Sequence, residues 1–83
     1  MNISYIYLLI DEIDHITIQY REQNKPLQRK NGIDKILYCL SAFDEVRTAL
    51  AGSDTGRNAL NALTDAELHD VLIMTRNALW QLL

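Results

Sequence analysis

The chain has 83 residues, 48% of them hydrophobic and 23% charged, with a formal net charge of −3. That composition is globular and excludes a disordered chain, and it leaves room for one modest core, so residues 1–83 are expected to form a single helical domain. The lone Cys39 excludes an internal disulfide and a thiol-rich zinc site, and it fits a reducing cytoplasm.

The first ten residues are apolar, but no Lys or Arg precedes them and Asp11, Glu12 and Asp14 follow. Those are the wrong flanks for an export signal, and no apolar run approaches the roughly 20 residues of a membrane-spanning helix. Ile6, Leu9, Ile13, Ile16 and Tyr20 are spaced three, four, three, four, the seam of a helix that packs on another helix, and Ile3 and Ile10 widen that stripe. The alternative is an α+β fold with an N-terminal hairpin, in which Ile16, Ile18 and Tyr20 alternate with polar residues. Its turn, "DEID", has no Gly, Pro or Asn and strands Ile13 at the tip. The helix uses Ile13 and is favoured, although the β-branched isoleucines pull toward strand.

Pro26 ends this helix near Asn24. After the loop "NKPLQRKNG", Asn31 and Asp34 are expected to cap a second helix in which Ile33, Ile36, Leu37, Leu40, Phe43, Val46 and Leu50 recur at helical spacing. Gly52 is placed to terminate it. "RNALNAL" predicts a short helical turn with Asp54 or Thr55 as its cap. Thr64 and Glu67 then read as a capping box for a last helix whose stripe is Leu68, Val71, Leu72, Thr75, Ala78, Leu79 and Leu82. The expected fold is therefore all-α: a small antiparallel bundle of three main helices plus a short helical turn.

No arrangement of catalytic type is visible. Glu12 and His15 share a helical face at the spacing used by di-iron bundles, but such a site needs two of these pairs and two further inward glutamates. Cys39 has no neighbouring cation to make it a thiolate, and no glycine-rich phosphate loop or nucleophile elbow occurs. Neither metal nor cofactor is expected, and the chain does not read as an enzyme. Acyl carrier proteins are acidic four-helix chains of this size, but their prosthetic serine sits in an Asp-Ser-Leu type motif. Here the order is reversed, Ser53 before Asp54, and the resemblance ends at that residue.

Charge is uneven. Residues 21–35 hold five basic and two acidic residues, net +3, leaving three basic and nine acidic residues elsewhere, net −6. A corner built of Arg21, Lys25, Arg29 and Lys30 supports an alternative reading as a small nucleic-acid-binding regulator, against which the acidity of the whole domain weighs. "VRTALAGSDTGRNALNAL" has the outline of a helix-turn-helix, but its second segment is short and mostly Ala and Leu.

The leading expectation is a protein–protein interaction module. Tyr5, Tyr7, Met74 and Trp80 lie off the seams and are of the types enriched at binding hot spots, while Asp11, Glu12 and Asp14 form an acidic edge toward a basic or nucleic-acid-handling partner. The last helix is apolar on more than one side, which in so short a chain favours burial against a second subunit, hence a homodimer. By class analogy, small acidic proteins of this kind serve as inhibitors, immunity or anti-defence factors and regulators among phage and plasmid accessories.

Overall fold

A computed structural model describes residues 2–83. In chain order they form α1 (Ile3–Glu22), α2 (Arg29–Ala42), α3 (Asp44–Ala49), α4 (Arg57–Ala62) and α5 (Asp65–Trp80), with no strand among the described residues. The all-α bundle forms, and the N-terminal hairpin is overturned: one unbroken helix runs through "DEID". The seam explains why. As a helix, Ile6, Leu9, Ile10, Ile13 and Ile16 all reach the core and none is more than 2% exposed. That burial, about 2 kcal/mol for each fully buried side chain, outweighs the few tenths that β-branching costs a helix. Ile3, expected on the same stripe, instead points to solvent. Asn2 starts α1, its Oδ1 accepting from the Tyr5 N–H at 3.3 Å. At the other end Asn24 takes a left-handed backbone with φ 53°, which lets the Lys25 N–H donate to the Gln19 carbonyl at 3.0 Å and close the helix.

The second helix differs from expectation at both ends. It begins at Arg29 with Gln28 as its N-terminal cap, one turn before Asn31 and Asp34. Leu27 is buried directly after Pro26 and pins the loop there, so the chain turns helical at once. Gly32 consequently lies inside the helix on its buried face, where a Cβ would sit 3.1 Å from Leu72 Cδ1; the glycine permits close approach of α2 to α5. The stripe expected to continue to Leu50 is broken at Phe43, whose extended backbone (φ −130°, ψ 117°) ends α2 and starts α3. Asp44 and Glu45 in the first turn of α3 complement its positive end, and the bend keeps Phe43, Val46 and Leu50 all in the core.

Gly52, at φ 91°, follows α3 as expected of a helix-ending glycine. Gly56, rather than Asp54 or Thr55, precedes α4, although Asp54 Oδ1 accepts from the Gly56 N–H at 3.2 Å. The capping box of α5 is present in both directions: Thr64 Oγ1 accepts from the Glu67 N–H at 3.1 Å, and Glu67 Oε1 accepts from the Thr64 N–H at 2.9 Å.

Helix α5 lies at the centre of the bundle, packed on α1, α2 and α3. The chain surrounds it because α3 folds back across it, an element that an unbroken second helix would not supply. Leu68, Leu72 and Leu79 are fully buried and Val71 and Leu82 pack partly against the same core, which unites all five helices. Most of the surplus apolar surface of α5 is thus covered internally. No described helix is long and apolar enough to cross a membrane.

Candidate interaction surface

The flanks of α1 repeat every seven residues, as the neighbours of a heptad seam must. Tyr5, Glu12 and Gln19 meet α2 and the residues before it: Tyr5 stacks edge-to-face on Tyr38 with centroids 5.8 Å apart, Glu12 Oε2 lies 2.6 Å from Lys35 Nζ, and Gln19 Oε1 accepts from Gln28 Nε2 at 2.6 Å. Tyr7, Asp14 and Arg21 meet the antiparallel α5: Tyr7 packs edge-to-face on Trp80 at 5.9 Å, Asp14 Oδ1 accepts from Arg76 Nη1 at 3.0 Å, and Arg21 Nη1 lies 3.3 Å from His69 Nε2. From one end of α1 to the other, both flanks change from aromatic through ionic to polar.

The aromatic end is where apolar surface remains. Of the eight exposed large hydrophobics among the described residues, seven cluster there: Ile3, Tyr5, Tyr7 and Leu8 on α1, Tyr38 near the end of α2, Trp80 at the end of α5 and Leu83 beyond it. Leu8, 50% exposed, lies on the outer ridge of α1 between the two aromatic pairs. Asn2 to Ile10 contains no charged side chain, and neither Tyr38 nor Trp80 adds one. The Tyr38 phenol is held above its ordinary value, first by hydrogen bonding with Tyr5, so the face stays uncharged throughout the neutral range.

Of the residues singled out as contact positions, Tyr5, Tyr7 and Trp80 are brought together on this face. Met74 is not: it lies six residues before Trp80 and about 120° away around α5. The acidic edge is divided as well. Glu12 and Asp14 are partly buried and paired with Lys35 and Arg76, leaving only Asp11 of the three without an ion pair among the described residues. Ile3, Leu8 and Leu83 were missed, and Tyr38, off the seam of the second helix by its spacing, was not among the contact positions; the signal for Ile3 and Leu8 is the run of nine uncharged residues from Asn2 to Ile10.

The basic corner is similarly engaged. Arg29 Nη1 donates to Asp65 Oδ1 at 2.6 Å, and its Nη2 donates to the carbonyls of Leu63 at 2.7 Å and Asn61 at 3.1 Å, clamping the α4–α5 connection onto the start of α2. Arg21 is held between Glu22 and His69. Lys25 and Lys30 are exposed and make no ion pair among the described residues.

Elsewhere, Asp11, Glu12, His15, Asn31 and Lys35 line an open depression between α1 and α2, where Lys35 occupies Glu12. Among the described residues no three His, Cys, Asp or Glu side chains gather in metal-binding geometry. Cys39 is fully buried, and burial pushes its thiol up to about 11, Glu12 adding to the rise and Lys35 opposing it, so it packs as a neutral side chain. Comparison with protein-family models, curated proteins and solved structures finds no match to this chain.

Proposed function

We propose that this is a non-enzymatic interaction module of the cytoplasm, a small inhibitor or regulator that works by occupying a protein surface through its aromatic end. The observation that carries the reading is the concentration of exposed Ile3, Tyr5, Tyr7, Leu8, Tyr38, Trp80 and Leu83 on one uncharged face. A soluble monomer's largest apolar patch is commonly about 300–600 Å². At 39–57% exposure, seven side chains of this size come to roughly 700 Å². The two edge-to-face pairs hold their rings in place beforehand, so little side-chain freedom is lost on contact.

The mechanism is steric, with affinity from the apolar face. The overall charge of −3 contributes steering only at its margins, because Glu12 and Asp14 are neutralised by their partners. A photo-reactive benzophenone side chain in place of Leu8, expressed in cells and irradiated, tests this. The expected outcome is a discrete adduct of the chain with a second polypeptide, lost when Trp80→Ala is added while the fold is retained. A folded protein that gives no adduct, or one unaffected by Trp80→Ala, removes the aromatic end as the working surface.

A further inference from the structure

We infer that the occupant of this face is a second copy of the same chain, so that the working unit is an isologous dimer with Leu8 of each copy near the two-fold axis. The inference rests on the reading of the aromatic end as the interaction surface and adds the identity of what covers it.

Charge decides among the occupants. A nucleic acid needs free cations, and the face has none among the described residues: Lys35 and Arg76, one turn before Tyr38 and Trp80, are paired with Glu12 and Asp14, and Lys25 and Lys30 lie beyond the other end of α1. A bilayer surface is met by helices with Lys and Arg flanking the apolar side, and residues 2–20 contain no Lys or Arg at all. Anionic headgroups would instead meet Asp11, the one unpaired acid of the three among the described residues, at the border of the face. A strongly charged protein would bury its charge against a surface with no counter-charge to offer. The face itself is the complement its chemistry calls for: uncharged, aromatic, and of the same extent.

Area agrees. A stable interface removes about 800 Å² from each partner, and the roughly 700 Å² on these seven side chains reaches that size once the uncharged rim of Asn2, Ser4 and Gln81 is included. Two-fold pairing brings like onto like, which suits a centre whose apolar side chains carry no charge to repel or desolvate. Glu12 and Asp14 keep their partners Lys35 and Arg76, and Asp11, one turn beyond Leu8 on the outer ridge, is the one unpaired acid among the described residues at the border of the contact.

Trp80 is the only tryptophan and stands on the face, so it reports on the contact without any change to the protein. The experiment is sedimentation equilibrium of the full chain over a wide concentration range, with Trp80 emission and its quenching by acrylamide followed over the same range. The expected result is a monomer–dimer equilibrium in which Trp80 emission shifts to the blue and becomes protected as the mass doubles. Leu8→Glu should weaken dimerisation at least about tenfold with an unchanged circular dichroism spectrum, since it places an unpaired carboxylate at the centre of the contact. Met74→Glu, off the face, should leave the equilibrium as it is.

A chain that stays monomeric throughout overturns the second copy. So does a dimer in which Trp80 remains quenchable, or one that survives Leu8→Glu. Blue-shifted Trp80 emission of the monomer on added phosphatidylcholine vesicles overturns it in favour of a lipid surface. The cross-link from position 8 separates the two levels: an adduct of chain plus a different polypeptide overturns the second copy and leaves the interaction reading standing, while no adduct removes both.

Discussion

The two ends of α1 are built on one register with opposite results. At the end of α1 near Glu22, polar groups find partners within the chain: Gln19 with Gln28, Arg21 with His69, and Arg29 with Asp65 and two carbonyls. At the end near Ile3, the same flanking positions carry Tyr5 and Tyr7, which pair with Tyr38 and Trp80 yet remain about 40–50% exposed. A hydrogen bond or ion pair is satisfied by one well-placed partner. An aromatic ring has two faces and an edge, and a single neighbour in an 83-residue chain covers only one of them. The polar end is closed, and the aromatic end is left with surface to bury.

The contrast can be broken from below. Leu72→Ala removes a fully buried side chain packed against Gly32, which cannot fill the space, and should cost about 3 kcal/mol. A lowered urea midpoint with an unchanged slope checks it. If the loss is below about 1 kcal/mol, the core has collapsed around the cavity and is less tightly packed than the burial indicates.

Arg29→Ala attacks the polar end alone. With three charge-assisted hydrogen bonds removed and two carbonyls returned to water, a loss of about 2 kcal/mol is expected. Amide exchange should quicken over residues 57–65, while Trp80 emission from the folded monomer stays as in the parent. Equal quickening at both ends would show that the two are coupled through α5.

Smaller changes sharpen the same comparison. Thr64→Ala deletes half of the capping box and should cost about 1 kcal/mol without altering the aromatic end, as thermal unfolding together with Trp80 emission would show. The pH dependence follows from Glu67, whose carboxyl is held below its ordinary value, first by the Thr64 N–H and then by the Thr64 hydroxyl. A depressed carboxylate contributes stability that is complete above its unfolded value of about 4.3 and is lost as pH falls through the lower folded value. Glu67→Gln should therefore lower stability near neutrality, where the carboxylate contributes in full, and flatten the acid limb of the stability profile below about pH 4.

Much of the helical plan was legible because it rests on local physics. The seam from Ile6 to Tyr20, the stop at Asn24 before Pro26, the glycine after α3 and the box at Thr64 are all set by periodicity or by side chains that satisfy nearby backbone groups. The start of α2 and its break at Phe43 were not legible. Burial of Leu27 and the approach of Leu72 to Gly32 decide the first, and covering α5 decides the second; both are contacts between residues far apart in the chain.

For the site, the sequence by itself determined that Tyr5, Tyr7 and Trp80 lie off the seams and that no charge interrupts the first ten residues. Only the tertiary structure decided that these residues meet at one end, that Met74 does not join them, and that Glu12, Asp14 and Arg29 are occupied by partners in distant helices. Periodicity specifies which side of a helix a residue occupies. Whether that side meets a neighbour or solvent depends on where the other helices end, and in this chain α2 and α5 end beside the least polar turns of α1.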